Sequence, residues 1–171
     1  MSERYEDEFS ITSSDFEEGG EIPKRCGYKH GNNPPKIEIL RAGTDSDTNC
    51  IALIMDDPDA MGAVGKVWVH WLYYRRLKSA WEIEEEIEWY DGVHGESQED
   101  VYAGMILGKT DFGEIGYGGP APPDKRHTYV FKAYALDNVL DLKEGYSKQE
   151  LEDAMKGHII AEAKLTGTFA P

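Results

Sequence analysis

Along most of this chain the apolar residues come in short runs bounded by turn residues, which predicts strands more often than helices. Lys36 to Arg41 and Cys50 to Asp56 read as two such strands, with AGTDSDTN between them suggesting a hairpin-like connection. Lys66 to Arg76 is a stronger candidate. By the two-residue period Trp68, His70 and Leu72 share one face, and Val67, Val69, Trp71 and Tyr73 share the other. Large side chains on both faces point to a central strand. His127 to Leu136 reads the same way, with His127, Tyr129 and Phe131 projecting together and Thr128, Val130 and Lys132 opposite.

The helical signal comes late. Ser147 and Glu150 form a capping-box pattern, after which Leu151, Ala154, Met155, His158 and Ile159 recur at helical spacing; Gly157 weakens it modestly. A last strand is expected over Lys164 to Phe169, and Gly19 to Pro35 reads as a long irregular connection with a turn at Asn32 to Pro35. The pattern is mainly β, in a single domain spanning residues 1–171.

Composition narrows the setting. A chain of 171 residues with 40 % apolar content buries one core without covalent staples. Cys26 and Cys50 are too few for a disulfide framework and read as reduced thiols of a cytoplasmic protein. The opening MSERYEDEF lacks the basic and apolar regions of a secretory signal, and Cys50 to Met55 is too short to span a bilayer, so no transmembrane segment is expected. A formal charge of −15 argues against nucleic acid and anionic membrane surfaces, both of which need basic patches. Part of that charge sits in EIEEEIE, residues 82–88, read as a solvated face.

Several apparent motifs fail on spacing. LGKT at 107–110 lacks the four residues a phosphate loop needs between its glycines, and DFG at 111–113 lacks a kinase's other elements. DSDTN at 45–49 places Cys50 where a calcium loop requires glycine. GESQE at 95–99 ends in Glu99 where a nucleophile elbow has glycine. There is no metal-ligand spacing, so no metal and no cofactor is expected.

Two stretches survive, DDPDAMGAVGKVWVHW at 56–71 and GYGGPAPPDKRHTYVF at 116–131. Each joins a turn-forming loop to a strand carrying a histidine among aromatics. DPDA, then WVHW, then GYGGPAPP and HTYVF resemble the phosphatidylethanolamine-binding protein family, with the nearer likeness to its compact bacterial and archaeal branch. FEEGGEIPKRC, TDFGEIGYGG, YALD and EDAMKGHIIAEAKLTGTF extend the resemblance over nearly the whole chain.

That resemblance implies an antiparallel β-sandwich with a few short helices and one helix in the C-terminal region, and an anion pocket at one end of the sheets. By position the ligand-binding residues are Asp57, Trp68, His70, Pro122, Pro123, His127 and Tyr129, with Asp59 and Gly119 as close neighbours. Two residues depart from the family pattern. Met61 stands where a proline is usual, which frees the Asp59 loop, and Thr128 stands where an arginine is common, on the face away from the pocket. The physical chemistry agrees with the implied ligand, because imidazolium and phenol groups donate to phosphate oxygens. A carboxylate beside an imidazole fixes its tautomer. Asp57 is expected to do this for His70, or to receive an ammonium group.

The expected function is binding of phosphate or a phospho-headgroup, tighter as pH falls through the histidine range. A second reading is a regulator of a protein partner such as a kinase or protease, as some relatives are. A third is a hydrolase with Asp57 and His70 as an acid–base pair, for which no nucleophile is evident, so an enzyme is not expected. A homodimer fits this branch. His158 is a further candidate for the same cavity.

Overall fold

The computed structural model describes residues 9–41, 47–77, 87–88 and 105–171. A six-stranded sheet runs in the order β2-β9-β8-β4-β5-β7, formed by Gly20–Glu21, Ile159–Phe169, His127–Leu136, Cys50–Asp57, Trp68–Arg76 and Met105–Leu107. Its neighbours are antiparallel except β2 against β9. A three-stranded antiparallel sheet, order β1-β3-β6, is built from Phe9–Thr12, Glu38–Arg41 and Ile87–Glu88. Among the described residues there are two short α-helices, α1 at Ala60–Val64 and α2 at Lys148–Met155, and one 3-10 turn at Lys24–Cys26.

The large sheet is buried on both faces. On one, Leu53, Met55, Trp71, Tyr73 and Phe131 pack with Ile11 and Ile39 of the small sheet. On the other, Ala52, Ile54, Leu72 and Tyr74 pack with Leu140, Tyr146, Leu151 and Met155. This explains the unbroken apolar run of β4, all eight residues of which are buried. Cys26 and Cys50 are buried, not joined in a disulfide, and fall in different clusters.

The mainly β sandwich is as expected, and β8 has the expected limits. Three local expectations change. β3 and β4 lie in different sheets, so the segment between them is not a hairpin; its residues 42–46 lie outside the described part, as do residues 82–86 of the acidic run and the GESQE segment. The strand period shows that a segment is extended but not which strand it pairs with. The α2 cap is present, with Ser147 Oγ accepting from Glu150 N at 3.1 Å. The helix stops at Met155 because Gly157 turns at φ +83°, and Ile159 begins a longer β9. His158 therefore sits immediately before β9, beside the end of β8, where its Nδ1 lies 2.8 Å from Asp137 Oδ1. It does not line the expected cavity.

Candidate functional site

β8 and β4 bring the first half of the site together by ordinary alternation. The odd residues of β8 point into the sandwich, and His127 stands at the head of that row, fully buried. In β4 the row Ile51, Leu53, Met55 ends in Asp57 on the same side, while Asp56 faces α2 and pairs with Lys148 at 2.8 Å. His127 Nδ1 lies 2.6 Å from Asp57 Oδ2, and its Nε2 lies 2.7 Å from Asp124 Oδ1. The other Asp57 oxygen, Oδ1, accepts from Ala60 N, the first N–H of α1, at 3.2 Å. One carboxylate thus holds both the ring and the helix that closes the loop.

β5 delivers the second half by a bulge. Met55 pairs with Trp71 and the next residue, Asp56, pairs with Val69, so His70 is an extra residue in the ladder. Consecutive carbonyls confirm it. Val69 O accepts from Asp111 N at 3.0 Å, and His70 O accepts from Gly118 N at 2.8 Å, both on the outer side of the strand. A regular strand would send these two carbonyls to opposite sides. The expected grouping of His70 with Leu72 is therefore corrected. The bulge turns His70 and Trp68 toward the sandwich side, where His70 meets Tyr129 edge-on at 5.1 Å between ring centres. Gly118 O then sits 2.7 Å from His70 Nδ1, and the adjoining backbone bond completes a two-point clamp.

A cavity of about 130 Å³ opens between the two imidazoles. Of the residues expected at the site, Asp57, Trp68, His70, Pro123 and His127 line it. Tyr129 lies behind the rings, and Asp59 staples the loop to β8 through Thr128 N at 2.8 Å. Pro122 faces an adjoining groove that also holds Lys29, His30 and Phe169. Gly119 is a packing residue; a Cβ there would sit 2.0 Å from Cys26 O. Met61 lies on α1, exposed. A larger furrow of about 600 Å³ runs past Glu21, Ile22, Lys24, His30 and Phe169, apart from the buried Asp57–His127 pair.

Two contributors were not foreseen. Phe112 lines the cavity, stacked on Tyr28 at 4.1 Å and edge-on to Trp68 and His70 at 5.6 and 5.5 Å. Asp124 caps His127, and its signal was a carboxylate three residues before the histidine in a proline-bounded loop. Asp57 partners His127 rather than the expected His70.

The electrostatics follow from these contacts. Burial opposes charge on His127, but the Asp57 and Asp124 carboxylates outweigh it and raise its pKa above the ordinary histidine value. A carboxylate at each ring nitrogen favours the imidazolium form, which donates from both. Asp124 is held low chiefly by its bond to that ring. His70 goes the other way, because burial lowers it more than Gly118 and Asp57 raise it. At neutral pH His70 is uncharged. Burial and the nearby Asp57 charge keep the Tyr129 phenol protonated. Tyr129 Oη and Trp68 Nε1 are buried polar atoms without a hydrogen-bond partner. Among the described residues no cluster of three or more His, Cys, Asp or Glu side chains is arranged to hold a metal, and no helix is long and apolar enough to cross a membrane.

A sandwich with a small Asp/His pocket at the end of its sheets is the class these features define. The family model described as phosphatidylethanolamine-binding protein matches residues 12–170, and the chain belongs to that family. It is 36 % identical over 154 residues to a UPF0098 protein of Methanothermobacter thermautotrophicus, covering 90 % of this chain and 93 % of that one. A UPF0098 protein of Chlamydia muridarum is also 36 % identical, over 162 residues, 93 % of this chain and 97 % of the relative. Among solved structures, the phosphatidylethanolamine-binding protein homologue CT736 of Chlamydia trachomatis superposes with TM-score 0.75 at 34 % identity, covering 95 % and 97 % of the two chains. E. coli YbcL, described as a member of the mammalian family, gives TM-score 0.71 at 25 % identity, covering 95 % and 98 %.

Proposed function

We propose that this protein binds a small phosphate-bearing ligand, a free phosphate or a phospho-headgroup, in the cavity between His70 and His127. The observation that carries the reading is the convergence of both imidazoles on one small cavity that is also lined by Trp68, whose buried Nε1 has no hydrogen-bond partner. Such a donor is costly unless a guest or water pairs with it. The family's description supports a phospho-headgroup as guest. Asp124 occupies the Nε2 position of His127 from the exposed side, its side chain 44 % exposed against 5 % for Asp57. An incoming phosphate oxygen takes the place of that carboxylate, so Asp124 acts as an internal competitor.

Binding rather than catalysis is the better reading of the Asp57–His127 pair, because the neighbouring hydroxyl, Tyr129, is held protonated and is a poor nucleophile. Calorimetric titration with inorganic phosphate and phosphoethanolamine between pH 5 and 8 tests the proposal. Affinity rises as pH falls below about 6.5, where His70 gains its proton while His127 is already charged. Asp124→Ala tightens phosphate binding several-fold. Absence of saturable heat at every pH, or affinity indifferent to joint replacement of His70 and His127 by alanine, overturns it.

A further inference from the structure

The DFG turn has no role in a kinase-like reading, yet its three residues sit where the bulge of β5 has to be held. Val69 N donates to Asp111 Oδ2 at 2.7 Å, and Val69 O accepts from Asp111 N at 3.0 Å. One residue thus meets both backbone groups of the residue beside His70, as a neighbouring strand would. The second carboxylate oxygen, Oδ1, takes Lys66 Nζ at 2.8 Å. Phe112 then lies edge-on against His70 and Trp68, and Gly113, at φ +85°, permits the tight turn.

A bulge needs such support. The extra residue interrupts the ladder, and unpaired backbone groups in a half-buried setting are costly. β7 covers β5 only from Tyr73 to Arg75, so beyond it the segment 108–118 must supply the partners. Without Asp111 the Val69 N–H loses its acceptor. The ladder can then regain regular pairing by slipping one residue, which sends His70 to the opposite face.

We infer that Asp111 is a positioning residue of the proposed phosphate pocket, holding the β5 bulge so that His70 faces the cavity, with Phe112 as the wall that fixes the ring's orientation. The inference rests on the pocket reading for its ligand but not for its geometry. It predicts that the carboxylate matters through Val69 and not through its ion pair with the exposed Lys66.

The test uses the full chain, with two readouts. Two-bond ¹H–¹⁵N correlation of the histidine rings reports which His70 nitrogen carries the proton and its titration midpoint, with no ligand present. Calorimetry with inorganic phosphate reports affinity. In the wild type His70 is protonated at Nδ1 and titrates below the ordinary value. Asp111→Ala moves the midpoint up toward about 6.5, loses the Nδ1–H preference, and weakens phosphate by roughly tenfold, the scale of one lost buried hydrogen bond. Asp111→Asn, which keeps an acceptor oxygen for Val69, restores both readouts. Lys66→Ala leaves affinity within about twofold, as exposed ion pairs do. If the alanine variant does not fold, Asp111→Ser takes its place, since its shorter side chain cannot span to Val69. Unchanged His70 titration in the alanine or serine variant overturns the inference. Failure of the wild type to bind phosphate overturns the pocket reading instead, and the His70 readout still decides the role of Asp111.

Discussion

His127 and His70 reach the same cavity by different physical routes. His127 arrives by strict alternation on a ten-residue strand and is then clamped by two carboxylates that keep it charged. His70 arrives because a strand breaks its alternation, and its partner is a backbone carbonyl in a site dry enough to keep it neutral. The pairing gives the pocket one histidine whose charged form is favoured and one whose neutral form is favoured. Local charge here is set by contacts within about 3 Å, so the remote part of a −15 surface is screened.

The two routes differ in what breaks them. Asp57→Ala has the largest expected effect, since it removes one partner of a buried charge pair and the acceptor for the first N–H of α1 together. It lowers stability by about 3 kcal/mol, read as a shifted urea midpoint, while the His70 ring resonances keep their wild-type tautomer. A His70 perturbation equal to that of His127 would erase the distinction between the routes.

Gly118→Ala attacks the other side. A Cβ there meets Phe112 Cδ2 at 2.5 Å, so the ring must move and the His70 clamp loosens. The expected cost is about 1–2 kcal/mol, with the Asp57–His127 pair intact. An unchanged His70 tautomer and unchanged stability would show that the clamp tolerates the methyl group.

Stability against pH separates the histidines by sign. His127 has a raised folded value, so its contribution is complete below about 6.5 and disappears as pH rises through the higher folded value. His70 has a lowered folded value, so its neutral burial costs stability as pH falls from about 6.5 through that lower value. His127→Gln removes the loss on the alkaline side, and His70→Gln removes the loss on the acid side. Identical pH profiles for the two variants would contradict the assignment.

The smallest effect is the remote control. Ser147→Ala removes the α2 cap and costs about 1 kcal/mol, leaving both histidine titrations unchanged.

Much of the site was legible because loop chemistry and strand period are local. The alternation of β8 predicted that His127 and Tyr129 point inward together, and the structure buries both. DPD and GPAPP marked the loops that bring Asp57 and Pro123 to the cavity. Phe112 was less visible, because nothing in its own neighbourhood tells that its ring faces a strand some forty residues earlier. The helix stop at Gly157 was half visible, as a weakening rather than an end.

By itself the order of residues determined the central strands β4, β5 and β8, the α2 cap and the two loop-strand units, since each depends on neighbours a few positions apart. Only the tertiary structure decided which face His70 occupies, which imidazole Asp57 holds, and that β3 and β4 part into separate sheets. The first two outcomes depend on hydrogen bonds between segments distant in sequence, Asp111 and Gly118 to β5 and Asp57 to His127. A period of two is blind to the one inserted residue that those bonds stabilise.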